Sequence, residues 1–576
     1  MEGIRIGVFI CWCGTNIARI VDIEAVTKEA EDFPNVVISK NYKYLCSDPG
    51  QDLIIQDIRD HNLNRVVVAA CSPNIHEKTF RKVLEKAEIN GYFLEIVNIR
   101  EQVSWVHDDG DEATRKATAL IRAAVFRVKH HEALFKRTVN IIPTTLIIGG
   151  GISGINAALE IADAGRDVFL VEKKNKLGGI AANLDLSYPY MTNMGDMLDP
   201  LIDRVLSHLH ITLFLGSEIK YILGYIGNFE TTVYSGNNKQ TEIVFGNVII
   251  ATGLKPFDPG NIEEYGYGKF PNVFTSLEFE RILKSGKITT REGKDPGNIT
   301  IIHCVGSRNE RFHEYCSHTC CMTALKYAYQ IKSELPYANV FDIYSDMRSF
   351  GKGCEEFYTK VSRKNVRFFL FNQENGLPKI VKGGDHSDCD MLVELDEKIT
   401  GKKIGIPTDM VILMVGMEAH GDARDIAHLA GISTCKNNFF IEKHPKLDPV
   451  ATSTDGVYII GSCQGPKDIS ESIAQARAAA ARILGVVSQG YVPVEPITAE
   501  VNEDICCGCK TCLKVCPYTA IRYDLVKKVS YVNEILCKGC GTCSSACSTG
   551  AIRCKHFTDK QILSQIEGLF STSIEV

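Results

Sequence analysis

Short apolar runs recur along the chain, and each is followed by a stretch with helical spacing of apolar and charged positions. The first two runs, residues 4–10 and 65–70, end in Cys11-Trp12-Cys13-Gly14 and Cys71-Ser72-Pro73. Buried strands of about four to eight residues that alternate with helices are typical of open, mostly parallel sheets. The pattern therefore predicts a small α/β domain over residues 1–138.

Residues 141–172 show a complete βαβ pattern. A strand over 141–148 runs into Gly149-Gly150-Gly151-Ile152-Ser153-Gly154, a helix follows over 155–164, and a second strand over 168–171 ends in Glu172. Glycines in such a turn let the backbone approach a pyrophosphate at the helix N-terminus, and an acid about 20 residues on binds a ribose hydroxyl. The pattern predicts a dinucleotide fold with contacts from Gly149, Gly151, Ser153, Gly154 and Glu172.

Three later segments favour FAD over NAD. Leu177-Gly178-Gly179 follows the acid, Ala251-Thr252-Gly253 ends a strand over 247–250, and residues 453–461 lead into a helix over 470–484. In flavoproteins such a helix directs its positive N-terminus at the flavin and stabilises negative charge there. The further predicted FAD contacts are Lys173, Gly178, Gly179, Thr252, Gly253, Gly461, Lys467 and Asp468.

Residues 255–410 retain the frame of a second dinucleotide fold but not its phosphate loop. A strand over 298–303 leads into Cys304-Val305-Gly306-Ser307-Arg308, which lacks the glycine triplet, and a helix resumes over 322–335. Thiols stand where a nicotinamide loop would be, so we predict a 4Fe-4S cluster beside a helix N-terminus. The alternative is a group of buried or regulatory cysteines. The predicted ligands are Cys304, Cys316, Cys320 and Cys321.

Two consecutive four-cysteine runs near the end are typical of a bacterial ferredoxin. In each run the spacing gives three thiolates to one 4Fe-4S cluster, while the fourth cysteine binds the other cluster. A zinc ribbon is the alternative interpretation of the CxxC pairs, but it has no doubled four-cysteine pattern. The predicted ligands are Cys506, Cys509, Cys512, Cys516, Cys537, Cys540, Cys543 and Cys547.

Composition and cysteine count predict the cellular compartment and one further cluster site. The formal charge of -6 argues against a nucleic-acid partner, and we find neither a signal peptide nor an apolar run long enough to span a membrane, so we expect a cytoplasmic protein. Cytoplasmic thiols stay reduced, so the 22 cysteines indicate metal binding. Cys11, Cys13, Cys46 and Cys71, at strand ends and in a loop, form a further predicted cluster site; buried cysteines acting as small apolar residues are the alternative.

The predicted fold class is multidomain α/β. An N-terminal α/β domain covers residues 1–138, and an FAD domain with two dinucleotide folds covers 139–496. An α+β ferredoxin domain with two 4Fe-4S clusters covers 497–556, and a helical tail covers 557–576. The helical spacing over 558–569 predicts a helix packed on its own domain, with docking to a partner as the alternative.

Long strings of this sequence resemble the flavin subunit of heterodisulfide reductase. They are ICWCGTNIARIVDIEAV, AACSPNIHEKTF, NIREQVSWVH, GGGISGINAALEIADAGRDVFLVEK, CVGSRNERFHEYCSHTCCMTALK, FGKGCEEFY and GSCQGPKDISESIAQARAAAAR, with the ferredoxin end. The resemblance implies a thioredoxin-reductase-like FAD domain, a cluster beside the flavin, and a homodimer within a complex of other heterodisulfide-reductase-type subunits.

It also implies flavin-based electron bifurcation. A hydrogenase or formate dehydrogenase module would supply two electrons; one would go to ferredoxin and the other to the heterodisulfide of coenzymes M and B, reduced on another subunit. Longer members carry an inserted ferredoxin module, whereas residues 180–303 here contain no cysteine. Bifurcation by this chain alone is therefore left open.

Two other functions compete with this interpretation. An NAD(P)H-dependent flavin reductase, similar to the small subunit of glutamate synthase, would need a second GxGxxG. An electron-relay scaffold would hold iron but no FAD. Lys467, where the third FAD element meets the ring, is a candidate for tuning the flavin; a surface lysine at a helix start is its alternative.

Overall fold

In the computed structural model, the described residues are 3–236, 239–372, 376–383 and 389–571. They divide into two compact units, Met1–Thr138 with Pro493–Val576, and Val139–Val492. The last five residues of the predicted tail lie outside the described residues.

The first unit contains a parallel four-stranded sheet. The apolar run at its centre is wholly buried, and the helices around it begin at Asp or Ser side chains that cap free backbone amides. In spatial order its strands are Val36–Tyr42, Ile6–Cys11, Arg65–Ala70 and Leu94–Asn98. Its helices are Ile23–Glu31, Asp48–Asp60, Pro73–Lys86 and Gly110–Val128.

The ferredoxin end belongs to the same unit. Two short antiparallel pairs, Ala499–Val501 with Ile552–Cys554 and Ile521–Tyr523 with Ser530–Val532, enclose a small core. Each cysteine run carries one short helix, Thr511–Val515 in the first and Thr542–Ser545 in the second. The two cysteine runs of the sequence thus correspond to two similar structural halves, each with one short helix.

The tail forms the helix Asp559–Phe570, with a capping box at its start. It packs on Gly110–Val128 of the N-terminal domain, where Arg122 Nε donates to the carbonyl of Gly568 at 2.9 Å. The helix thus packs within the compact unit that also holds the ferredoxin end, and it makes this contact at Gly568 rather than along its apolar stripe. Ile562, Leu563 and Ile566 remain 41–64% exposed.

The second unit begins with a parallel five-stranded sheet, an antiparallel meander, and three helices around the sheet. The predicted strand over 141–148 is shorter than expected, whereas the helix predicted over 470–484 is longer. In spatial order the sheet is Val457–Ile459, Asn247–Ile250, Thr145–Ile148, Val168–Val171 and Ile211–Phe214. The meander is Ser217–Ile219, Leu223–Tyr225, Asn228–Ser235 and Lys239–Phe245, and the helices are Ile152–Asp163, Met194–Ser207 and Ile469–Gln489.

A second parallel sheet repeats this order, so the prediction of a retained second dinucleotide frame is confirmed. Asn298–Val305 pairs in parallel with Asn339–Tyr344, and the helix Cys320–Glu334 connects them. In spatial order the sheet is Val273–Thr275, Met410–Val415, Asn298–Val305, Asn339–Tyr344 and Val366–Leu370. Further elements of this unit are the helices Ser276–Lys284, Cys354–Ser362 and Ala423–Ala430, the meander Lys379–Lys382, Met391–Glu397 and Lys402–Thr408, and the pair Leu254–Pro256 with Met417–Ala419.

We expect Gly568→Val to release the tail helix. A Cβ at Gly568 would lie 2.8 Å from Cα of Ala123, so the two helices would have to separate. Hydrogen exchange of the amides in Asp559–Phe570 should accelerate at least tenfold. Leu563→Val, on the exposed face of the same helix, is the matched control. Equal protection in both variants would contradict the packing role of the glycine.

Candidate functional site

Three glycine-containing segments of the FAD-type fold meet at one point. Gly178 N–H donates to the carbonyl of Gly150 at 2.8 Å. A Cβ at Gly149, where φ is +110°, would lie 2.4 Å from the carbonyl oxygen of Ala251, and one at Gly154 would lie 1.9 Å from that of Gly149. The backbone reaches this close approach only with glycine at these positions.

A cavity of about 720 Å³ opens beside these segments. Gly154 and Gly461 lie behind its wall: Gly154 packs against Gly149, and a Cβ at Gly461 would lie 2.3 Å from Ser153 Oγ. The predicted FAD contacts that line the cavity are Gly149, Gly151, Ser153, Glu172, Lys173, Gly178, Gly179, Thr252, Gly253, Lys467 and Asp468.

The cavity wall offers groups that suit a flavin dinucleotide. Thr252 Oγ1 is buried, and none of the described residues forms a hydrogen bond with it. The carboxylate of Glu172 accepts from Gly150 N–H at 2.6 Å and Lys174 N–H at 2.8 Å, which holds it in place and leaves lone pairs for a ribose. Asp468 caps the helix Ile469–Gln489, whose positive N-terminus lies at the cavity.

The central cysteines gather at the start of the helix Cys320–Glu334. Burial, followed by the neighbouring Cys321, raises the pKa of Cys304 to about 12, and burial with Cys304, Cys321 and Cys316 nearby raises that of Cys320 well above its usual range. The four predicted ligands are therefore close neighbours. Cys320 also lines the cavity, so this thiol and the glycine loop border the same space.

Several groups around these thiols suit a cluster. His318 N–H donates to Cys316 Sγ at 3.3 Å, and Ser307 Oγ is buried with no hydrogen-bond partner in the described part of the chain. Burial tends to raise the pKa of Cys321, but the neighbouring His303 ring acts in the opposite direction, and the net effect lowers it. These donors favour thiolates, the form that binds iron.

The ferredoxin cysteines are brought together across the two runs. Cys516 of the first run lines one small cavity with Cys537, Cys540 and Cys543 of the second, which is the predicted three-plus-one arrangement. Cys512 and Cys547, from the complementary set, lie in the same small core. Backbone N–H groups point at the thiols, with Ala499 donating to Cys537 Sγ at 3.3 Å and Ala520 to Cys516 Sγ at 3.4 Å. Cys506 is half-buried, and Cys509 is exposed.

The N-terminal cysteines also form a group. Burial raises the pKa of Cys71 to about 11. The charge of Arg100 opposes this shift, and the neighbouring Cys13, Cys11 and Cys46 add to it. Arg100 Nη1 donates to Cys13 Sγ at 3.5 Å. Sequence reasoning did not single out this arginine, although it lies in the string NIREQVSWVH that carries the family resemblance.

Within the described ranges, no three His, Cys, Asp or Glu side chains are arranged around a single metal ion. A 4Fe-4S cluster differs from a single ion, because it holds four irons and spaces its thiolates more widely. The fit of these residues to clusters therefore depends on the grouping of the thiols and on the N–H donors around them.

A buried ion pair in the cavity wall was also missed. Lys326 Nζ contacts Glu280 Oε1, and the hydroxyl of Tyr327 donates to the same carboxylate oxygen at 2.8 Å. Lys326 and Glu280 are 2% and 0% exposed, and burial lowers the pKa of the lysine. Both lie on apolar helix faces, where the sequence pattern indicates only core.

Known proteins resemble this chain over its whole length. An iron–sulfur subunit of the CoB–CoM heterodisulfide reductase of Methanopyrus kandleri is 39% identical, covering 100% of this chain and 99% of that protein. The corresponding subunit of the H₂:CoB–CoM heterodisulfide, ferredoxin reductase of Methanothermobacter marburgensis is 38% identical, covering 90% and 91%. This chain belongs to the family of A-type heterodisulfide reductase subunits.

Family models agree with the two cofactor regions. The pyridine nucleotide-disulphide oxidoreductase family matches residues 143–296, and the 4Fe-4S dicluster domain matches residues 505–552. This family member is thus an oxidoreductase, a flavin and iron–sulfur electron-transfer subunit. Among solved structures, the thioredoxin reductase of T. acidophilum matches with 17% identity and a TM-score of 0.42, covering 60% of this chain and 100% of that one. No helix among the described residues has both the length and the hydrophobicity of a membrane span.

We expect Gly154→Ala to abolish FAD retention. The new Cβ would meet the carbonyl oxygen of Gly149 at 1.9 Å and push the loop away from its position. The absorbance ratio of flavin to protein in the purified variant measures this. Gly485→Ala, in the helix Ile469–Gln489 with open space around its Cβ, is the matched control and should keep its flavin. Full flavin in both variants would contradict the assignment of the loop.

Proposed function

We propose that this chain converts a two-electron input into one-electron transfers within a heterodisulfide-reductase-type complex. FAD would lie in the cavity and one 4Fe-4S cluster on the central cysteines, with two in the ferredoxin domain and one on the N-terminal set. The observation that carries the proposal is that Cys320 lines the same cavity as Gly149 and Lys467. A flavin bound there would have a cluster ligand at its side.

FAD, when bound, supplies the exchange between two-electron and one-electron chemistry. The chain's own residues hold and polarise it. The N-terminus of Ile469–Gln489, capped by Asp468 and Glu471, would favour negative charge on the reduced ring. Lys467 adds an ammonium to the lining of the cavity. Cys320, which also lines it, would bind the cluster that accepts single electrons from the flavin.

A nicotinamide site in the second fold is disfavoured by its glycine. A Cβ at Gly306 would lie 2.3 Å from the Phe257 ring, so this glycine makes room for an aromatic core residue rather than for a phosphate. The strand Asn298–Val305 then leads to cysteines at the helix start. The competing function, an NAD(P)H-dependent flavin reductase, is tested by mixing the holoprotein with NADPH. Rapid flavin bleaching would favour it.

The partners follow from the family. Related proteins are named for H₂, formate, ferredoxin and the CoB–CoM heterodisulfide. We propose a hydrogenase or formate dehydrogenase module as donor, ferredoxin and the heterodisulfide as acceptors, and a homodimer within the complex. The alignment with the Methanopyrus relative spans 669 positions against 576 residues here, so that relative contains residues this chain lacks. Splitting of the electron pair would therefore need partner subunits.

Copurification with associated subunits, followed by iron and flavin analysis, tests the assembly. FAD together with iron supports the proposal. Iron without FAD would favour a relay scaffold, and a chain isolated without partners under anaerobic conditions would contradict the complex.

We expect Cys320→Ala to disconnect FAD from the ferredoxin domain while FAD stays bound. The variant should lose about four irons per chain, since one cluster needs four thiolates. Stopped-flow absorbance after flavin reduction should show no reduction of the ferredoxin clusters. Cys354→Ala, another buried thiol outside the cluster set, is the control. Flavin loss in Cys320→Ala would mean that the segment is mainly structural.

We expect Lys467→Ala to lower the midpoint potential of the flavin. Removal of an ammonium from the cavity wall destabilises the negatively charged reduced ring. A spectroscopic redox titration measures the shift. Lys173→Ala is the control, because this lysine also lines the cavity but is 62% exposed and paired with Glu218 at 2.8 Å. An unchanged midpoint potential in Lys467→Ala would mean that Lys467 is only a surface lysine at the start of a helix.

A further inference from the structure

Two glutamine side chains connect the turn at Gly461 to the segments around it. Gly461 N–H donates to Gln475 Oε1 at 2.8 Å, and the amide nitrogen of Gln475 donates in turn to Gln464 Oε1. Gln464 Nε2 donates to Glu442 Oε2 and to the carbonyl of Pro449, both at 2.9 Å. None of the flavin contacts described above uses either glutamine.

The chain leaves its strand at Gly461, so a side chain rather than the sheet accepts from the amide of this residue. Ile459 N–H donates to the carbonyl of Val450 at 2.9 Å, and Ile460 N–H donates to the carbonyl of Ile250 at 3.0 Å. Gly461 follows with φ of +72° and is buried. A buried amide needs an acceptor, because an unpaired one loses its hydrogen bonds to water without replacement.

The turn at Gly461 borders the cavity on two sides. A Cβ at Gly461 would lie 2.3 Å from Ser153 Oγ, so the backbone packs directly on Ser153, which lines the cavity. Ser462 lines it too, and so does Lys467, three residues after Gln464. A shift of this turn would therefore move both a part of the cavity wall and the segment that carries Lys467.

The stability of its own helix does not account for Gln475. The N-terminus of Ile469–Gln489 already has a capping box, formed by Asp468 and Glu471. Gln475 lies in the second turn, beyond the amides that lack a partner within the helix. Its side chain reaches Gly461 instead.

The hydrogen bonds of the two glutamines run in one direction. A primary amide accepts through its oxygen and donates through its nitrogen, whereas a backbone N–H only donates and a carboxylate only accepts. Gly461 therefore requires the oxygen of Gln475, which leaves the nitrogen for Gln464. Glu442 requires the nitrogen of Gln464, which leaves the oxygen for Gln475. Both ends thus specify the same orientation of the two amides.

We propose that Gln475 is a positioning residue for the flavin. It holds the turn at Gly461 directly, and it holds the segment before Lys467 through Gln464, with Glu442 as the fixed end. The inference depends on the proposed function, since it requires FAD in the cavity. A turn that is fixed before FAD binds loses less conformational freedom on binding, so the affinity for FAD is higher.

Dissociation of FAD from the full-length holoprotein, followed by the fluorescence of the released flavin, tests this. In Gln475→Leu the dissociation constant should rise about tenfold, because a buried donor loses its acceptor. The midpoint potential of the flavin should shift in the same direction as in Lys467→Ala, because the segment that carries Lys467 is held less firmly. Arg477→Ala, on the same helix, is the matched control and should change neither quantity. Its side chain is 64% exposed and pairs with Glu160 at 2.9 Å.

An exchange of charge between two positions separates positioning from packing. Gln475→Glu keeps an acceptor for Gly461 but places a carboxylate against the oxygen of Gln464, so the dissociation constant should again rise about tenfold. Rotation of the Gln464 amide would relieve that contact but would place its oxygen against Glu442. The double variant Gln475→Glu with Glu442→Gln removes this conflict, and its affinity should return to within about twofold of the native value.

Recovery in the double variant supports the inference. A double variant that binds FAD no better than Gln475→Glu would overturn it, and so would an unchanged dissociation constant or an unchanged potential in Gln475→Leu. If Gln475→Leu does not fold, the comparison of Gln475→Glu with the double variant decides alone. Failure of the proposed function would differ from all of these results, because the native chain itself would then retain no FAD.

Discussion

Gly149 and Ala251 lie so close that no side chain fits between them, and the cavity of the second unit depends on this contact. It fixes where the strand Thr145–Ile148 ends relative to Asn247–Ile250. The helix after Gly149 can then point its free amides at the cavity, and Thr252 is left with a buried hydroxyl that no other described residue satisfies. One backbone contact thus sets both the shape and the polarity of the site.

The same architecture occurs twice in this unit, but residues of different chemistry follow the corresponding strands, Thr145–Ile148 and Asn298–Val305. In the first fold the turn after the strand holds glycines and a capped helix nearby. In the second, the position of Gly306 is taken up by contact with Phe257, and the helix begins with Cys320 and Cys321. The free amides of a helix N-terminus attract negative charge of either kind, a phosphate or a thiolate-bound cluster. In the proposed function, the fold is retained while its ligand changes from a nucleotide to a cluster.

Much of this could be predicted from the sequence because it depends on local patterns. The strands Arg65–Ala70 and Val168–Val171 have the predicted ends, since apolar runs bounded by turn residues mark them. Buried ion pairs such as Lys326 with Glu280 could not be predicted, because a charged residue on an apolar face has no periodic signal and its partner is distant in sequence. The tail shows the reverse case: its apolar stripe predicted the wrong buried face, and Gly568 decided the packing.

The start of the helix Cys320–Glu334 has a consequence for what this fold can become. A helix has only one set of unsatisfied N-terminal amides. In the proposed function, a cluster on the cysteines of the first turn lies at those amides, so the same space would not hold a phosphate as well. Reacquiring a nicotinamide would require removing the thiols, remaking the loop and displacing Phe257 together. With the proposed cluster bound, hydride exchange and single-electron exchange would exclude each other in this architecture, and a single substitution would not reverse the choice.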